Sequence, residues 1–296
     1  MVLAMFRGNS RSFWAFHFFI ISALLLASSA LADPVLRFFS DEAAEVVLEK
    51  LQTEFNPHRT LDVSAGLKAR DVDFPAFWLM ILEPDDSLRA ALKAEPKFAV
   101  ALPPTLYVSQ QEGHTEIGII DVNRLITAYR LDEGIENKLV MSFDDFYNRL
   151  GAYGELQPLD DSYVKQAPFF SAELPDMSLA DAADFLEVIL SGYNMNLVER
   201  WELEQVTQLQ ICNLGFAEIF FNDSPAIAIW APCRLYLYME GDTVRVGSTS
   251  LGGIAPLYPH LAEETREAMQ EVYDIIVNSV KELGAENFDF GPEISP

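Results

Sequence analysis

Residues able to do more than solvate the surface gather in two short stretches of the C-terminal half, Ile211-Cys212-Asn213-Leu214 and Ala231-Pro232-Cys233-Arg234. Cys212 and Cys233 are the only cysteines of the chain. Three arrangements suit them. An oxidising compartment would preserve a disulfide between them. Two free thiols beside Asn213 and Arg234 would suit a soft metal or redox exchange, with the Arg234 charge lowering a thiol pKa. Two inert cysteines are the third arrangement, since free Cys is among the most buried residue types. Spacing leaves all three open. If a strand ending at Cys212 pairs antiparallel with one beginning near Ala226, Cys233 lies about seven residues along, roughly 23 Å at about 3.3 Å per residue. That is outside disulfide reach. A crossover through residues 213–225 would instead bring the two together.

Other polar chemistry is thin. His58, His114 and His260 are scattered without partners at ligand spacing and read as solvated loop or cap positions. Asp144-Asp145 and Glu263-Glu264 read as helix starts, where carboxylates favour the dipole. No glycine-rich phosphate loop occurs, and the sequon-like Asn222-Asp223-Ser224 is followed by Pro225. The candidate ligand-binding residues are therefore Cys212, Asn213, Cys233 and Arg234; no metal and no cofactor is assigned.

The elements that must position them are written twice. Pro96, Pro103, Leu106-Tyr107 and Gly118 recur at an offset of 129 as Pro225, Pro232, Leu235-Tyr236 and Gly247. Phe38-Phe39-Ser40 reappears as Phe169-Phe170-Ser171. Such internal repetition is the first constraint on a fold. Each copy places a helix after its Phe-Phe-Ser. In the first, Ser40 is the expected N-cap and Ala44, Val47, Leu48, Leu51 and Phe55 recur at helical spacing. In the second, Ser178 and Asp181 form a capping-box pattern ahead of Phe185, Leu186, Ile189 and Leu190, with Gly192 to close the helix.

Strands are expected at Phe77–Leu82, Phe98–Val108 and Glu116–Val122, and again at Gln208–Cys212, Ala226–Met239 and Val244–Ser248. Hairpin turns are expected at Glu112-Gly113 and Gly241-Asp242. Trp78 and Trp230 sit in apolar runs and read as core. A final helix carries one apolar stripe from Leu261 through Val272 and Ile276 to Leu283, ending at Gly284, and is expected to lie across a sheet.

With both copies aligned, the pattern resembles the bacterial family known as domain of unknown function 302. The first copy offers Leu61-Asp62-Val63, Ile81-Leu82-Glu83-Pro84, Glu95-Pro96 and Leu102-Pro103-Pro104-Thr105. The second offers Ile211-Cys212-Asn213-Leu214, Ser224-Pro225 and Ala231-Pro232-Cys233-Arg234, with Leu214 where the family has proline. The resemblance implies an α+β domain of the TATA-binding-protein-like class, a mostly antiparallel sheet covered by helices in β-α-β4-α order. Relatives of this kind are expected to dimerise, so the tandem is expected to pack as a pseudo-dimer with its two repeats paired within one chain. The first copy has lost both cysteines and the arginine, which leaves any polar site to the second.

The organisation read from the chain is a signal peptide at 1–32, a first repeat at 33–150, a linker at 151–168 and a second repeat at 169–296. Arg7 and Arg11 precede an apolar run from Phe13 to Leu26, and Ala30-Leu31-Ala32 matches a cleavage site ahead of Asp33. Cleavage would make the protein periplasmic or secreted. An uncleaved segment would anchor it in the membrane, since residues 13–32 approach the roughly 20 needed to span a bilayer; His17 and the polar Ser28-Ser29 weigh against that.

The formal net charge of −25 becomes −27 once the two arginines of the leader are removed. A surface of that sign repels phosphate backbones, so no nucleic-acid partner is expected. Half the residues are hydrophobic and 12% aromatic, which separates the chain from disordered acidic tails. The expected function is an exported, non-enzymatic binding or accessory module for a small ligand, a metal ion or a protein partner, with any ligand or metal site in the second repeat. The alternative is a thiol-dependent redox enzyme using Cys212 and Cys233.

Overall fold

The computed structural model of the chain describes residues 35–123, 133–157, 169–258 and 260–290. The leader and residues 158–168 of the linker lie outside them. The first half runs β1 (Val35–Ser40), α1 (Ala44–Phe55), β2 (Arg59–Asp62), α2 (Val63–Lys68), β3 (Phe77–Ile81), α3 (Asp86–Ala94), β4 (Thr105–Gln111), β5 (His114–Ile120), α4 (Glu133–Leu150) and β6 (Glu155–Leu156). The second runs β7 (Phe169–Leu174), α5 (Leu179–Gly192), β8 (Asn196–Leu203), β9 (Val206–Cys212), α6 (Leu214–Asp223), β10 (Cys233–Glu240), β11 (Thr243–Thr249), α7 (Leu251–Ile254), α8 (Glu263–Glu282) and β12 (Glu286–Asp289).

Each half builds one six-stranded antiparallel sheet. The orders are β2-β3-β4-β5-β1-β6 and β8-β9-β10-β11-β7-β12, the same topology strand for strand. The chain is thus α+β, two tandem repeats packed as a pseudo-dimer. In each sheet one face carries the helices: α1 lies on β4 and β5, and α5 on β9 and β10. Helix α8 packs on α5 and α6 through Met269, Val272, Ile276 and Val280, all buried. Ser178 caps α5 as expected, accepting from the Asp181 backbone N–H at 3.1 Å.

The other faces meet between the repeats. The apolar runs expected to open strands β4 and β10 are instead short 3-10 helices, Pro96–Ala101 and Pro225–Trp230. Each opens with a proline, whose fixed φ suits a first helical turn, and the strand begins only past a cis proline at Leu102-Pro103 or Ala231-Pro232. The first helix packs on β9, β10 and β11 of the opposite sheet, the second on β4 and β5. Phe98, Ala99, Val100, Ile227, Ala228 and Ile229 are consequently buried on every side. A run apolar all round has no diagnostic period, so strand and buried helix look alike in sequence. Across the same seam Phe77 stacks on Phe221, ring centroids 4.8 Å apart and 2° from parallel.

Two local expectations change. Ser40 ends β1, and the α1 N-cap is Ala43, without a side-chain cap. Asp144 and Asp145 lie well inside α4 on its exposed side rather than at a helix start, so solvation and not the dipole accounts for them.

Tyrosines fix each sheet centre. Tyr107 lies opposite Gly118 and Tyr236 opposite Gly247 in the ladders. A Cβ on Gly118 would stand 2.1 Å from the Tyr107 ring, and one on Gly247 2.4 Å from the Tyr236 hydroxyl. Only glycine admits the rings.

Candidate functional site

Cys212 ends β9, Asn213 follows it, and Cys233 and Arg234 open β10, so the four predicted residues collect at one end of the second sheet. The route between the strands differs from both arrangements drawn from the spacing. β9 and β10 are antiparallel neighbours joined through α6 and the 3-10 helix, and β10 starts at Cys233 rather than near Ala226. Cys233 is paired with Ile211, one residue short of Cys212. Successive residues of a strand face opposite ways, which assigns Cys212 to the face of Gln210 and Arg234, and Cys233 to the face of Ile211 and Leu235.

Both cysteines are free and half-buried. Burial pushes the Cys212 thiol up to about 11. Cys233 is pushed up to about 12, first by burial and then by Cys212, and the neighbouring Arg234 charge offsets this only in part. The activating effect of Arg234 therefore exists in direction and loses to desolvation. Neither thiol is a thiolate at neutral pH.

Arg234 points into the seam. It is buried, and its Nη1 donates to the Val100 carbonyl at 3.1 Å and the Ile229 carbonyl at 3.4 Å. Its Nη2 donates to the Pro103 carbonyl at 3.2 Å and to Thr105 Oγ1 at 2.6 Å. Gln208, on the same face, donates to the Ala99 and Leu102 carbonyls at 2.7 and 2.6 Å. The Arg234 bonds are charge-assisted and so the strong ones; with Gln208 they satisfy carbonyls at the end of the first repeat's 3-10 helix, and Arg234 also reaches the second's at Ile229. Arg234 works as a clasp between the repeats.

Asn213 is the N-cap of α6, its Oδ1 accepting from the Gly215 N–H at 2.8 Å while Nδ2 donates to the Asn194 carbonyl at 3.2 Å. It also faces an open cleft of about 400 Å³ lined by Arg70, Asn194, Asn196, Asn213 and Leu214. Arg70 comes from the first repeat, just beyond α2, so the cleft spans the seam. The backbone at Gly215 approaches it closely: a Cβ there would lie 3.9 Å from both terminal nitrogens of Arg70. Among the described residues Arg70 makes no ion pair. Sequence reading missed Arg70, Asn194 and Asn196. The Asn-Met-Asn following the α5 terminus was a visible polar cluster; nothing in the sequence joined Arg70 to it.

His58 also lies at the seam, its ring 4.4 Å from that of Trp201 and its Nδ1 3.1 Å from Glu83 Oε1. Among the described residues no group of three or more His, Cys, Asp or Glu is placed to hold a metal ion.

The ladders also align the repeats. Ile81 pairs with Thr105 and Gln210 with Arg234, so by register Glu83 stands where the second repeat has Cys212, and Pro104 where it has Cys233. Motif order in the sequence sets Leu82, not Glu83, against Cys212.

No curated protein matches the chain. Among solved structures, the crystal structure of an uncharacterized conserved DUF302 protein from Bacillus stearothermophilus is similar at 12% identity and a TM-score of 0.36, covering 39% of this chain and 98% of its own. DynU16, from the dynemicin biosynthetic locus, is similar at 11% identity and a TM-score of 0.22, covering 85% of this chain and 97% of its own. The family model described as domain of unknown function DUF302 matches residues 38–147 and 196–276, a segment in each half. Carrying that domain twice, with the cysteines and the arginine kept only in the second copy, the chain belongs to the DUF302 family.

Proposed function

We propose that this protein is an exported, non-enzymatic binding module that takes a small carboxylate-bearing ligand in the cleft between its repeats. The observation that carries the reading is Arg70 facing the same open space as Asn213, Asn194 and Asn196, with no acidic partner among the described residues. A guanidinium offers paired donors matched to a carboxylate, and asparagine amides supply both donors and acceptors around it. Asn194, Asn196 and Asn213 all come from the second repeat, and Asn213 belongs to its Cys-Asn motif. Cys212 and Cys233 lie half-buried on opposite faces of the β9–β10 end. Export rests on the leader with its Ala-Leu-Ala site ahead of Asp33.

Titration calorimetry with succinate and with its diamide tests this reading. Succinate is expected to bind saturably, the diamide more weakly, and Arg70→Gln to abolish the difference. Equal binding of the two, or none, contradicts it. A thiol that reacts rapidly at neutral pH would favour the redox alternative.

A further inference from the structure

At the same end of the first sheet, between β3 and α4, lies a second cavity of about 230 Å³. Its floor is apolar: Leu82, Leu88, Ile119 and Phe143 are buried core residues that also face the space. Phe55 and Phe146 wall it, ring centroids 4.5 Å apart. Its rim is acidic, with Glu83, Asp85 and Asp145 against one arginine, Arg149.

These four charges differ in how committed they are. Arg149 Nε donates to Glu54 at 2.7 Å and its guanidinium lies 4.5 Å over the Phe55 ring. Asp85 caps α3 through the Leu88 N–H at 2.9 Å and accepts from the Ser142 hydroxyl. Glu83 is exposed, 3.1 Å from His58 and 3.7 Å from Arg89. Asp145 is exposed and makes no hydrogen bond or ion pair among the described residues. Of the rim carboxylates, Asp145 is the one unpartnered among the described residues, and Glu83 shares its charge with His58 and Arg89. By register Glu83 and Pro104, both lining the cavity, occupy the positions of Cys212 and Cys233. The first repeat thus carries a carboxylate at the mouth of an apolar space where the second carries a thiol.

We propose that this cavity binds a small organic cation: an amine on an aromatic or branched aliphatic body, the body on the Leu88–Ile119–Phe143 floor and the ammonium at Glu83 and Asp145. An anion would meet three carboxylates and an arginine already held by Glu54. A wholly apolar guest would leave the rim charges unused, whereas a cation within reach of a carboxylate keeps its charge compensated. The chain's net charge of −25 also concentrates cations near such a mouth. The site shares no lining residue with the seam cleft and stands independently of it.

Titration calorimetry on the full mature chain, with phenethylamine, 2-phenylethanol and 3-phenylpropionate as probes of one shape and three charges, tests the proposal. Phenethylamine should bind, the alcohol about tenfold or more weaker, and the acid not measurably, as expected when charge-assisted contacts are lost. Glu83→Gln with Asp145→Asn should bring the amine to the level of the alcohol. Both carboxylates are exposed, so the variant folds, which a melting curve checks. Arg70→Gln should leave phenethylamine binding unchanged. No amine binding, equal affinity for the three probes, an unchanged affinity in the double variant, or loss of the amine in Arg70→Gln would each overturn the assignment.

Discussion

Arg234 and Thr105 hold the same place in the two repeats, 129 residues apart, and they touch: the guanidinium donates to Thr105 Oγ1 at 2.6 Å. In a two-fold pairing, a residue that contacts its own counterpart lies at the axis. The same guanidinium bonds the carbonyls of Val100 and Ile229, which are again counterparts at an offset of 129. Arg234 therefore sits at the pseudo-twofold axis and grips both 3-10 helices. An axis holds one such group. Two arginines there would face each other across a buried centre, and this gives a physical reason for the first copy to carry threonine.

Exchanging the pair tests the axis. Thr105→Arg alone adds a second buried cation and is expected to cost about 3–5 kcal/mol. Arg234→Thr alone leaves buried carbonyls unsatisfied, at about 1–3 kcal/mol. The double exchange should recover more than half of the summed loss in denaturant melts. Simple additivity of the two would place Arg234 off the axis.

At the sheet centres, Gly118→Ala and Gly247→Ala should each destabilise by about 1–3 kcal/mol through overpacking against a tyrosine. Truncating the ring, as in Gly118→Ala with Tyr107→Ala, should make the added methyl nearly neutral. A Gly118→Ala variant as stable as the parent would contradict the close approach.

The thiols predict the alkaline limb of stability. Folded values of about 11 for Cys212 and about 12 for Cys233 lie above the ordinary thiol range near 8.5. The thiols' contribution is complete below that range and is lost as pH rises through the folded values, because the unfolded chain ionises first. Tyr238, pushed up to about 12 chiefly by burial, acts in the same direction from about 10. Cys212→Ala with Cys233→Ala should flatten the fall that begins near pH 8.5–9, leaving the tyrosine part, and both thiols should label slowly at pH 7. Rapid labelling would contradict the burial.

Much of this was legible in the sequence, because repetition and periodicity are local. The doubled Pro-Leu-Tyr-Gly anchors marked the two sheets, Ser178 and Asp181 the start of α5, and the Leu261–Leu283 stripe the face of α8. The seam was not legible. Phe98 to Ala101 and Ala226 to Trp230 look like strands because they are apolar throughout, and they are apolar throughout because another repeat surrounds them. Arg234 looked like part of a cysteine site because its neighbours in sequence are Cys233 and Pro232. Its partners are 131 and 129 residues away, at Pro103 and Thr105. Arg70 belongs to the candidate cleft only once α2 and α6 are packed together.

Mass spectrometry of the exported protein should find Asp33 as its first residue, from cleavage after Ala-Leu-Ala. An intact N-terminal segment on the membrane-bound protein would replace the periplasmic or secreted assignment with an anchored one.

The two repeats are expected to unfold as one cooperative unit, because each 3-10 helix completes the core of the other's sheet. Expressing residues 169–296 alone uncovers the β9–β10 face and strands Ile227, Ile229 and Trp230 without the first sheet. The fragment is expected to aggregate, or to pair with itself and melt well below residues 33–296. A soluble, monomeric fragment whose unfolding midpoint equals that of the mature chain would contradict it.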